Sequence, residues 1–326
     1  MIDLENPWVE KYRPTSFKDI ISQSIAINNL KSFVDKGEMP HMIFTGPAGT
    51  GKTSTALIIA RAVIKREDFY SNILELNASD SVRMDYVRNV IKEFVNQRMM
   101  GRDNSLKFIL LDEADNIPTQ VQQALRRIIE KASSNVKFIL MCNYINKIID
   151  PIVSRCAVFR FTKLSQEKVI ERLKFIAEKE NLKLPKEKSK EFFKTLFFIS
   201  GGDLRKAINA LQMAVALDLL DNLDIDEIYR ISGFVEEKRM KALFNAIKRK
   251  KLSEAFTILN KIDNLDARNF IRQVLSECQD LNLNEGNFMK IYEIAGDVDY
   301  RISQGSDEQV QIFSLISSLI EIINLK

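Results

Sequence analysis

The sequence is poor in the residues that build disulfide frameworks and metal centres. It has three cysteines, Cys142, Cys156 and Cys278, and a single histidine, His41. The cysteines are widely spaced and form no Cys-x-x-Cys pair, which argues against a structural zinc site and favours a reducing compartment. His41 stands alone before a short apolar run, and we assign it no functional role.

Strong net charge and long apolar runs are also missing. The 48 Lys and Arg against 44 Asp and Glu leave +4, which is too mild to identify a nucleic-acid binder. No apolar run approaches the length of a membrane span, and the polar N-terminal segment has no signal-peptide core. A chain of 326 residues that is 45% apolar and 28% charged is typical of a soluble globular protein of two or three domains.

What the sequence does contain is an eight-residue phosphate-binding pattern between a predicted strand, 42–45, and a predicted helix, 54–64. The pattern G-x-x-x-x-G-K-[ST] is matched by Gly46-Pro47-Ala48-Gly49-Thr50-Gly51-Lys52-Thr53. Its backbone N–H groups and the positive end of the helix, which begins at Ser54, surround an anion. We expect Lys52 to reach the β- and γ-phosphates and Thr53 to ligate Mg²⁺. The alternative, a glycine-rich turn without a ligand, leaves Lys52 unexplained.

Two later strands end in polar residues that suit the same site. The buried strand 107–112 ends in Asp112, which can hold Mg²⁺ opposite Thr53, and Glu113 can polarise a water for attack on the γ-phosphate. The strand 138–143 ends in Asn143, which can hydrogen-bond a γ-phosphate or the lytic water. The alternatives are an acidic turn and a plain strand-end asparagine.

The first 14 residues contain two prolines and cannot form one helix. Trp8, Val9 and Tyr12 recur at helix-like spacing, and Arg13-Pro14 closes the segment. Two interpretations remain equal and compatible: an arm packed on the core by its aromatic residues, or an apolar slot for a nucleotide base.

The remaining pattern is mostly helical. We predict a helix over 19–34, strands at 73–77 and 158–161, and only helices after Phe161. Thr119-x-x-Gln122 predicts a capping box at the start of a helix.

The order of these parts resembles AAA+ ATPases and, more narrowly, the replication factor C small subunits, clamp-loader ATPases of archaea and eukaryotes. The specific marks are Pro7 to Pro14 (PWVEKYRP), His41 to Thr53, Leu74 to Asp80 (LELNASD), Asp112 to Asp115 (DEAD), Gln122 to Arg127 (QQALRR), Ser154-Arg155-Cys156 and Gly201 to Asn209 (GGDLRKAIN). The resemblance implies an α/β P-loop AAA+ domain, with a parallel sheet flanked by helices, at 1–161. A small helical lid at 162–231 and an all-α collar for oligomerisation at 232–326 follow.

The resemblance also assigns roles to single residues. Val9, Tyr12, Arg13 and Pro14 would hold adenine. Asn143 would be sensor 1, and Arg205 would be sensor 2, which reaches the nucleotide from the lid. Arg155 would be an arginine finger that acts on ATP held by the neighbouring subunit.

Partners follow from the same resemblance. They are ATP and Mg²⁺, a clamp-loader large subunit with further small subunits in a heteropentamer, a sliding clamp of the proliferating-cell-nuclear-antigen type, and primer–template DNA, but no membrane. Arg83 and Arg88 would contact DNA, and Ile91 and Phe94 would lie near the clamp unless they are core residues. The location would be cytoplasmic in an archaeon and nuclear in a eukaryote.

Several positions depart from the family pattern. After Asp80 the family has Glu-Arg-Gly-Ile where this chain has Ser81-Val82-Arg83-Met84, so the basic residue is shifted by one position, about 100° around a helix. Two functions compete with clamp loading. One is a scaffold that binds ATP without using its hydrolysis, which the intact Glu113 and Arg155 disfavour. The other is a Holliday-junction motor, which the helical C-terminal third disfavours.

Overall fold

The structure is a computed structural model that describes residues 6–78, 84–96, 106–132, 135–220, 223–262, 265–281 and 283–324. The chain forms two compact units. The first comprises Met1–Leu182 and Ser200–Asn209, and the second comprises Lys183–Ile199 and Ala210–Lys326. The predicted boundaries at residues 161 and 231 do not coincide with this division, so the three-domain assignment stays a prediction.

The first unit is built on a parallel sheet whose five strands were all predicted. They are β1 (His41–Thr45), β2 (Ile73–Asn77), β3 (Lys107–Asp112), β4 (Val136–Cys142) and β5 (Cys156–Arg160). Their order across the sheet is β2-β3-β4-β1-β5. Because every pair is parallel, all five carboxyl ends lie at one edge of the sheet.

Helices cover both faces of this sheet. The helices of this part of the chain are α1 (Trp8–Lys11), α2 (Ser24–Lys36), α3 (Lys52–Val63), α4 (Phe69–Asn72), α5 (Met84–Asn96), α6 (Thr119–Lys131), α7 (Asp150–Val153) and α8 (Gln166–Lys179). Those that share a core cluster with the strands include α2, α3, α5, α6 and α7. Alternation along the strands divides the core in two, since successive side chains point to opposite faces. Met42 and Phe44 pack in a cluster with Ile59 of α3, and Ile43 packs in another with Leu125 of α6.

The helix predicted over 19–34 begins later than expected. A 3₁₀ turn spans Phe17–Asp19, and α2 starts only at Ser24 because Ser22 and Gln23 have positive φ angles of 58° and 60°. The buried Gln23 side chain then donates to the Thr162 carbonyl oxygen at 2.8 Å and accepts from its N–H at 3.0 Å. These two hydrogen bonds explain why the helix does not begin at residue 19. In a continuous helix the Gln23 side chain would point in another direction and could not bond to Thr162.

The later part of the chain is helical throughout the residues described after Arg160. The remaining helices are α9 (Lys186–Ser200), α10 (Leu204–Ala216), α11 (Ile225–Ile231), α12 (Glu237–Lys248), α13 (Leu252–Leu259), α14 (Ala267–Gln279), α15 (Glu285–Ser303) and α16 (Glu308–Ile323). The second unit has its own apolar core, which includes Phe270, Ile291 and Leu315. α15 runs through Gly296 without a break. In the described ranges we find no helix with the length and apolarity to cross a membrane.

Candidate nucleotide-binding site

The phosphate-binding pattern forms the loop 46–51 between β1 and α3, as predicted. At two positions of this loop, close contacts with neighbouring residues leave room only for glycine. A Cβ at Gly46 would lie 2.0 Å from the Phe161 carbonyl oxygen, and a Cβ at Gly49 would lie 2.0 Å from Asp203 Oδ1. Both glycines have positive φ angles, 144° and 71°. The loop therefore approaches the neighbouring backbone and the start of α10, in the same unit, more closely than any side chain allows.

Lys52 is buried at the centre of this loop, with 9% of its surface exposed. Its ammonium group donates to the carbonyl oxygens of Gly46 (2.7 Å) and Pro47 (2.9 Å) and to Asn143 Oδ1 (3.1 Å). Burial lowers the pKa of Lys52, and the nearby Asp112 carboxylate opposes that shift. The structure thus joins the P-loop lysine to the asparagine at the end of β4.

Thr53 and Asp112 lie as a magnesium site requires. The Thr53 hydroxyl donates to Asp112 Oδ2 at 2.7 Å, although 59 positions separate the two residues. Hard oxygen ligands of this kind fit Mg²⁺, which takes its other ligands from water and phosphate oxygens. The pair opens on a cleft of about 610 Å³ that is also lined by Ala48 to Lys52, Asn77, Glu113, Asn143 and Arg205. These residues fit a triphosphate with its metal ion.

Glu113 occupies a strained position at the end of β3. Its φ angle is 53°, in the left-handed region that side chains other than glycine seldom adopt. Its N–H donates to Asp112 Oδ1 at 2.9 Å, and its carboxylate accepts from Asn116 Nδ2 at 3.1 Å. Glu113 therefore lines the same cleft as Thr53 and Asp112, where its carboxylate is a candidate general base for a water molecule.

Asp115 is a site residue that sequence reasoning did not single out. Its Oδ2 accepts from the backbone N–H groups of Asn143 and Tyr144, both at 3.2 Å. It thereby fixes the backbone of the predicted sensor residue at the end of β4. The only available signal was its place in the Asp-Glu-Ala-Asp run.

The N-terminal arm is packed on the core and also lines a cleft. Trp8 is fully buried and anchors the arm in the core. Val9, Tyr12, Arg13 and Pro14 line a second cleft of about 630 Å³. The cleft is also lined by Gly49, Thr50, Gly51, Ser54, Arg172 and Arg205. This cleft, which we call the base cleft, has apolar and cationic walls and borders the P-loop, where a nucleotide base would lie.

Besides Arg13, two arginines of the first unit line these clefts. Arg205, near the start of α10, lines both of them, as its predicted role in nucleotide contact requires. Arg172, on α8, lines the base cleft and donates to the Tyr12 carbonyl oxygen at 2.8 Å. Burial lowers its pKa. Sequence reasoning missed Arg172, since nothing in the local pattern of α8 points to residue 12.

Arg155 lies at the opposite edge of the sheet from the nucleotide-binding residues. It immediately precedes Cys156, the first residue of β5, which lies in register with His41 at the amino end of β1. The P-loop instead follows the carboxyl end of β1. Its guanidinium is exposed, binds Glu130 Oε1 at 2.6 Å and donates to the Pro151 carbonyl oxygen at 2.7 Å. The structure therefore does not bring Arg155 to the nucleotide residues of its own chain.

The tentative clamp residues need a correction. Ile91 and Phe94 are 2% and 8% exposed, because they lie on the face of α5 that packs in the core with the sheet. They are core residues here and do not present a surface for another protein. Of the tentative DNA contacts, Arg83 lies outside the described residues, as does the side chain of Arg88.

The predicted capping box is also corrected. α6 begins after Pro118 without a side-chain cap, and Gln122 is buried instead. Its amide donates to the carbonyl oxygens of Ile117 and Lys147 at 2.9 Å and accepts from the Ile149 N–H at 2.9 Å. Gln122 therefore hydrogen-bonds to the segment after β4 and does not cap the first turn of α6.

Comparison with known proteins agrees with this geometry. The model of the AAA family (ATPase family associated with various cellular activities) matches residues 42–164. The model of the replication factor C C-terminal domain matches residues 235–318. Among solved structures, a RuvB Holliday junction branch migration motor of Thermotoga maritima has a TM-score of 0.53 at 17% identity and covers 76% of this chain and 85% of its own. At that identity the likeness shows the fold alone.

The curated relatives cover nearly the whole chain. The replication factor C small subunit of Archaeoglobus fulgidus is 37% identical, with 96% of each chain covered. That of Aeropyrum pernix is 39% identical, with 97% of this chain and 96% of its own covered. That of Methanothermobacter thermautotrophicus is 38% identical, with 98% and 99% covered. The chain therefore belongs to the replication factor C small subunit family.

Proposed function

We propose that this protein is an ATP-hydrolysing subunit of a sliding-clamp loader. The observation that best supports ATP hydrolysis is the hydrogen bond of 2.7 Å between Thr53 and Asp112, together with Glu113, which directly follows Asp112 at the end of β3. Membership of the replication factor C small subunit family supports the clamp-loading role. In this proposal, ATP binding and hydrolysis drive the opening of a ring-shaped clamp and its loading onto primer–template DNA.

The cleft lined by Lys52, Thr53 and Asp112, which we call the phosphate cleft, supplies the groups that bind and hydrolyse the triphosphate. Lys52 binds the β- and γ-phosphate oxygens in place of its present carbonyl partners, and the loop N–H groups hold the rest of the triphosphate. Glu113 accepts the proton of the attacking water, which Asn143 orients. Mg²⁺ held by Thr53 and Asp112 supplies positive charge against the phosphate oxygens.

The base cleft completes the binding of ATP. Val9, Tyr12, Arg13 and Pro14 hold the adenine, and Ser54 of α3 lines the same cleft. Arg205 lines both clefts and reaches the phosphates from the start of α10. Its charge stabilises the negative charge that develops as the γ-phosphate is transferred.

Arg155 acts on the ATP of a neighbouring subunit. β1 separates its end of the sheet from the P-loop by four residue steps, roughly 13 Å at the usual strand rise, so it is poorly placed for its own nucleotide. An exposed arginine at that edge is available to a neighbour. Hydrolysis then depends on assembly, because the transition-state charge is neutralised only when two subunits meet.

The proposed partners are those of a clamp loader: a large subunit, further small subunits, a ring clamp and primed DNA. Basic residues that follow Ala78, with Arg83 and Arg88 among them, contact the DNA backbone. The replication factor C small subunits of Archaeoglobus fulgidus, Aeropyrum pernix and Methanothermobacter thermautotrophicus are archaeal, so we place the protein in the cytoplasm.

The test measures ATP hydrolysis by the chain assembled with a clamp-loader large subunit. We expect the rate to rise when the ring clamp and primer–template DNA are both added. Unprimed single-stranded DNA with the clamp is the matched control, and it should stimulate less. A rate that is indifferent to clamp and primed DNA would contradict the clamp-loading role while leaving ATP hydrolysis intact.

A further inference from the structure

Glu180 is a buried carboxylate that the chemistry above does not use. It follows the last residue of α8 and is 8% exposed. Burial of a charge is costly, and a carboxylate at a helix C-terminus also faces the negative end of the helix dipole. Glu180 therefore stabilises neither its own helix nor an apolar core, and its partners must offset both costs.

Those partners belong to the N-terminal arm. The Tyr12 hydroxyl donates to Glu180 Oε1 at 2.5 Å, and Lys11 Nζ lies 2.6 Å from the same oxygen. Burial and the hydrogen bond to Glu180 both raise the pKa of Tyr12, so its hydroxyl is held in the protonated, donating form. From α8 itself, Arg172 donates to the Tyr12 carbonyl oxygen at 2.8 Å. Glu180 and Arg172 thus bind two successive residues of the arm, Lys11 and Tyr12.

The residues in this contact also shape the base cleft. Tyr12 and Arg172 line it together with Val9, Arg13 and Pro14, opposite the P-loop glycines. The Tyr12 ring packs edge-on against Phe175 of α8 at 6.4 Å, which fixes the ring while its hydroxyl is held by Glu180. The width of the cleft therefore depends on how firmly the arm is held to α8.

We propose that Glu180 is a positioning residue that sets the affinity for the nucleoside part of the nucleotide through Lys11 and Tyr12. This inference rests on the proposed function, since it assumes that ATP binds in these clefts. Glu180 does not touch the base. It keeps the arm ordered before the base arrives, which removes an ordering cost from binding. The phosphate cleft is built from other residues and does not depend on Glu180.

The test compares two ligands that share only the phosphate cleft. ATP and inorganic tripolyphosphate, each with Mg²⁺, are titrated into the full-length chain by calorimetry. The variants are Glu180→Gln, Glu180→Ala and Tyr12→Phe, which keeps the ring that lines the cleft. Glu171→Gln is the matched control, because Glu171 lies on the same helix and pairs only with the exposed Lys168 at 2.8 Å in the described structure.

We expect Glu180→Ala and Tyr12→Phe to weaken ATP binding roughly tenfold, the effect of losing a hydrogen bond to a charged group. Glu180→Gln keeps an acceptor and should lose less. Tripolyphosphate affinity should stay unchanged in all three, and the control should match the wild type for both ligands. Because tripolyphosphate reports an intact phosphate cleft, a variant that merely unfolds is recognised by the loss of both ligands.

Equal losses for ATP and tripolyphosphate in Glu180→Gln and Tyr12→Phe, or no loss for ATP in any variant, would overturn the inference. Either result would leave the proposed function standing. A wild-type chain that binds neither ligand would overturn the proposed function and this inference with it.

Discussion

The two edges of the parallel sheet hold their functional side chains in different ways. At the carboxyl edge Lys52, Thr53 and Asp112 bond to groups of the same site, and Lys52 is buried. At the amino edge Arg155 remains 37% exposed at its side chain, and its ionic partner Glu130 is 31% exposed. One edge is organised within the chain, whereas the other is held by a surface ion pair, which contributes little by itself.

This difference indicates where each edge finds its complement. Buried, mutually bonded groups are preorganised, so they can bind charge without rearrangement. An exposed guanidinium gains full electrostatic strength only when a second surface excludes water from it. The carboxyl edge therefore suits binding within one chain, and the amino edge suits action on a neighbour.

The largest expected effect tests that division at Arg155. Arg155→Ala should lower the turnover rate of the assembled complex by about 10³- to 10⁵-fold, the usual contribution of an arginine finger. ATP affinity of the isolated chain should not change, since Arg155 lies at the other edge of the sheet. Steady-state hydrolysis and nucleotide titration measure the two quantities, and Arg66→Ala, at another exposed arginine, is the control.

Mixing two variants distinguishes action on a neighbour from action within one chain. Lys52→Ala should not bind nucleotide tightly, and Arg155→Ala should not hydrolyse it. Complexes assembled from both contain interfaces where an intact P-loop meets an intact Arg155, so part of the activity should return. If the mixture stays as inactive as either variant alone, Arg155 does not act across the interface.

The second effect concerns the carboxyl edge at Glu113. Glu113→Gln keeps the size of the side chain but removes the base, and should lower turnover by about 10²- to 10⁴-fold. ATP binding should persist, because Lys52, Thr53 and Asp112 are unchanged. Glu75→Gln, at an exposed position on β2, is the control. Retained turnover in Glu113→Gln would support the scaffold alternative instead.

The carboxyl edge was accessible to sequence reasoning because each of its residues follows a recognisable strand. A buried apolar run that ends in Asp112 or Asn143 places a polar group at the edge where parallel strands bind ligands. The P-loop pattern then supplied the partner, Thr53. The five strands and the helical later part followed from the same periodicities.

What the sequence could not reveal depends on contacts between distant segments. Glu180 meets Tyr12 across 168 positions, and no local pattern connects them. Gln122 had the spacing of a capping box, but buried carbonyl groups compete for its amide. Ile91 and Phe94 have apolar side chains that suit a core and an interface equally, so only packing decides between the two.

The third effect tests how firmly the amino edge is built, through the single histidine. His41 begins β1, its Nδ1 accepts from the Phe138 N–H of β4 at 3.1 Å, and burial, aided by the Lys137 charge, lowers its pKa to about 4. The unfolded chain therefore takes up a proton near pH 6.5 that the folded chain resists. Stability from this group is present above pH 6.5 and is lost as the pH falls through about 4.

The loss should reach up to about 3 kcal/mol in the free energy of unfolding. His41→Asn keeps a hydrogen-bond acceptor near the Nδ1 position but does not titrate in this range. Urea unfolding of both proteins at pH 7, 6, 5 and 4 measures the difference between their curves, from which shared carboxylate effects cancel. Parallel curves would show that His41 is not held neutral by the fold.

The smallest expected effect lies in the ion pair that orients Arg155. Glu130 Oε1 binds both Arg155 and Arg126, which lies 2.8 Å away on the same helix. Glu130→Gln should lower turnover of the assembled complex a few-fold, since an exposed ion pair contributes up to about 1 kcal/mol of orientation. KM for ATP should stay constant, because the nucleotide is bound at the opposite edge.

Arg126→Gln is the matched control, because it removes the other cation from Glu130 and leaves the pair with Arg155 in place. Its turnover should stay nearer the wild type than that of Glu130→Gln. A higher turnover in Glu130→Gln would mean that the carboxylate competes with the neighbour's phosphate for the guanidinium. Such a result would reverse the role of the amino edge from presenting Arg155 to restraining it, since the same ion pair would then oppose the contact that assembly makes.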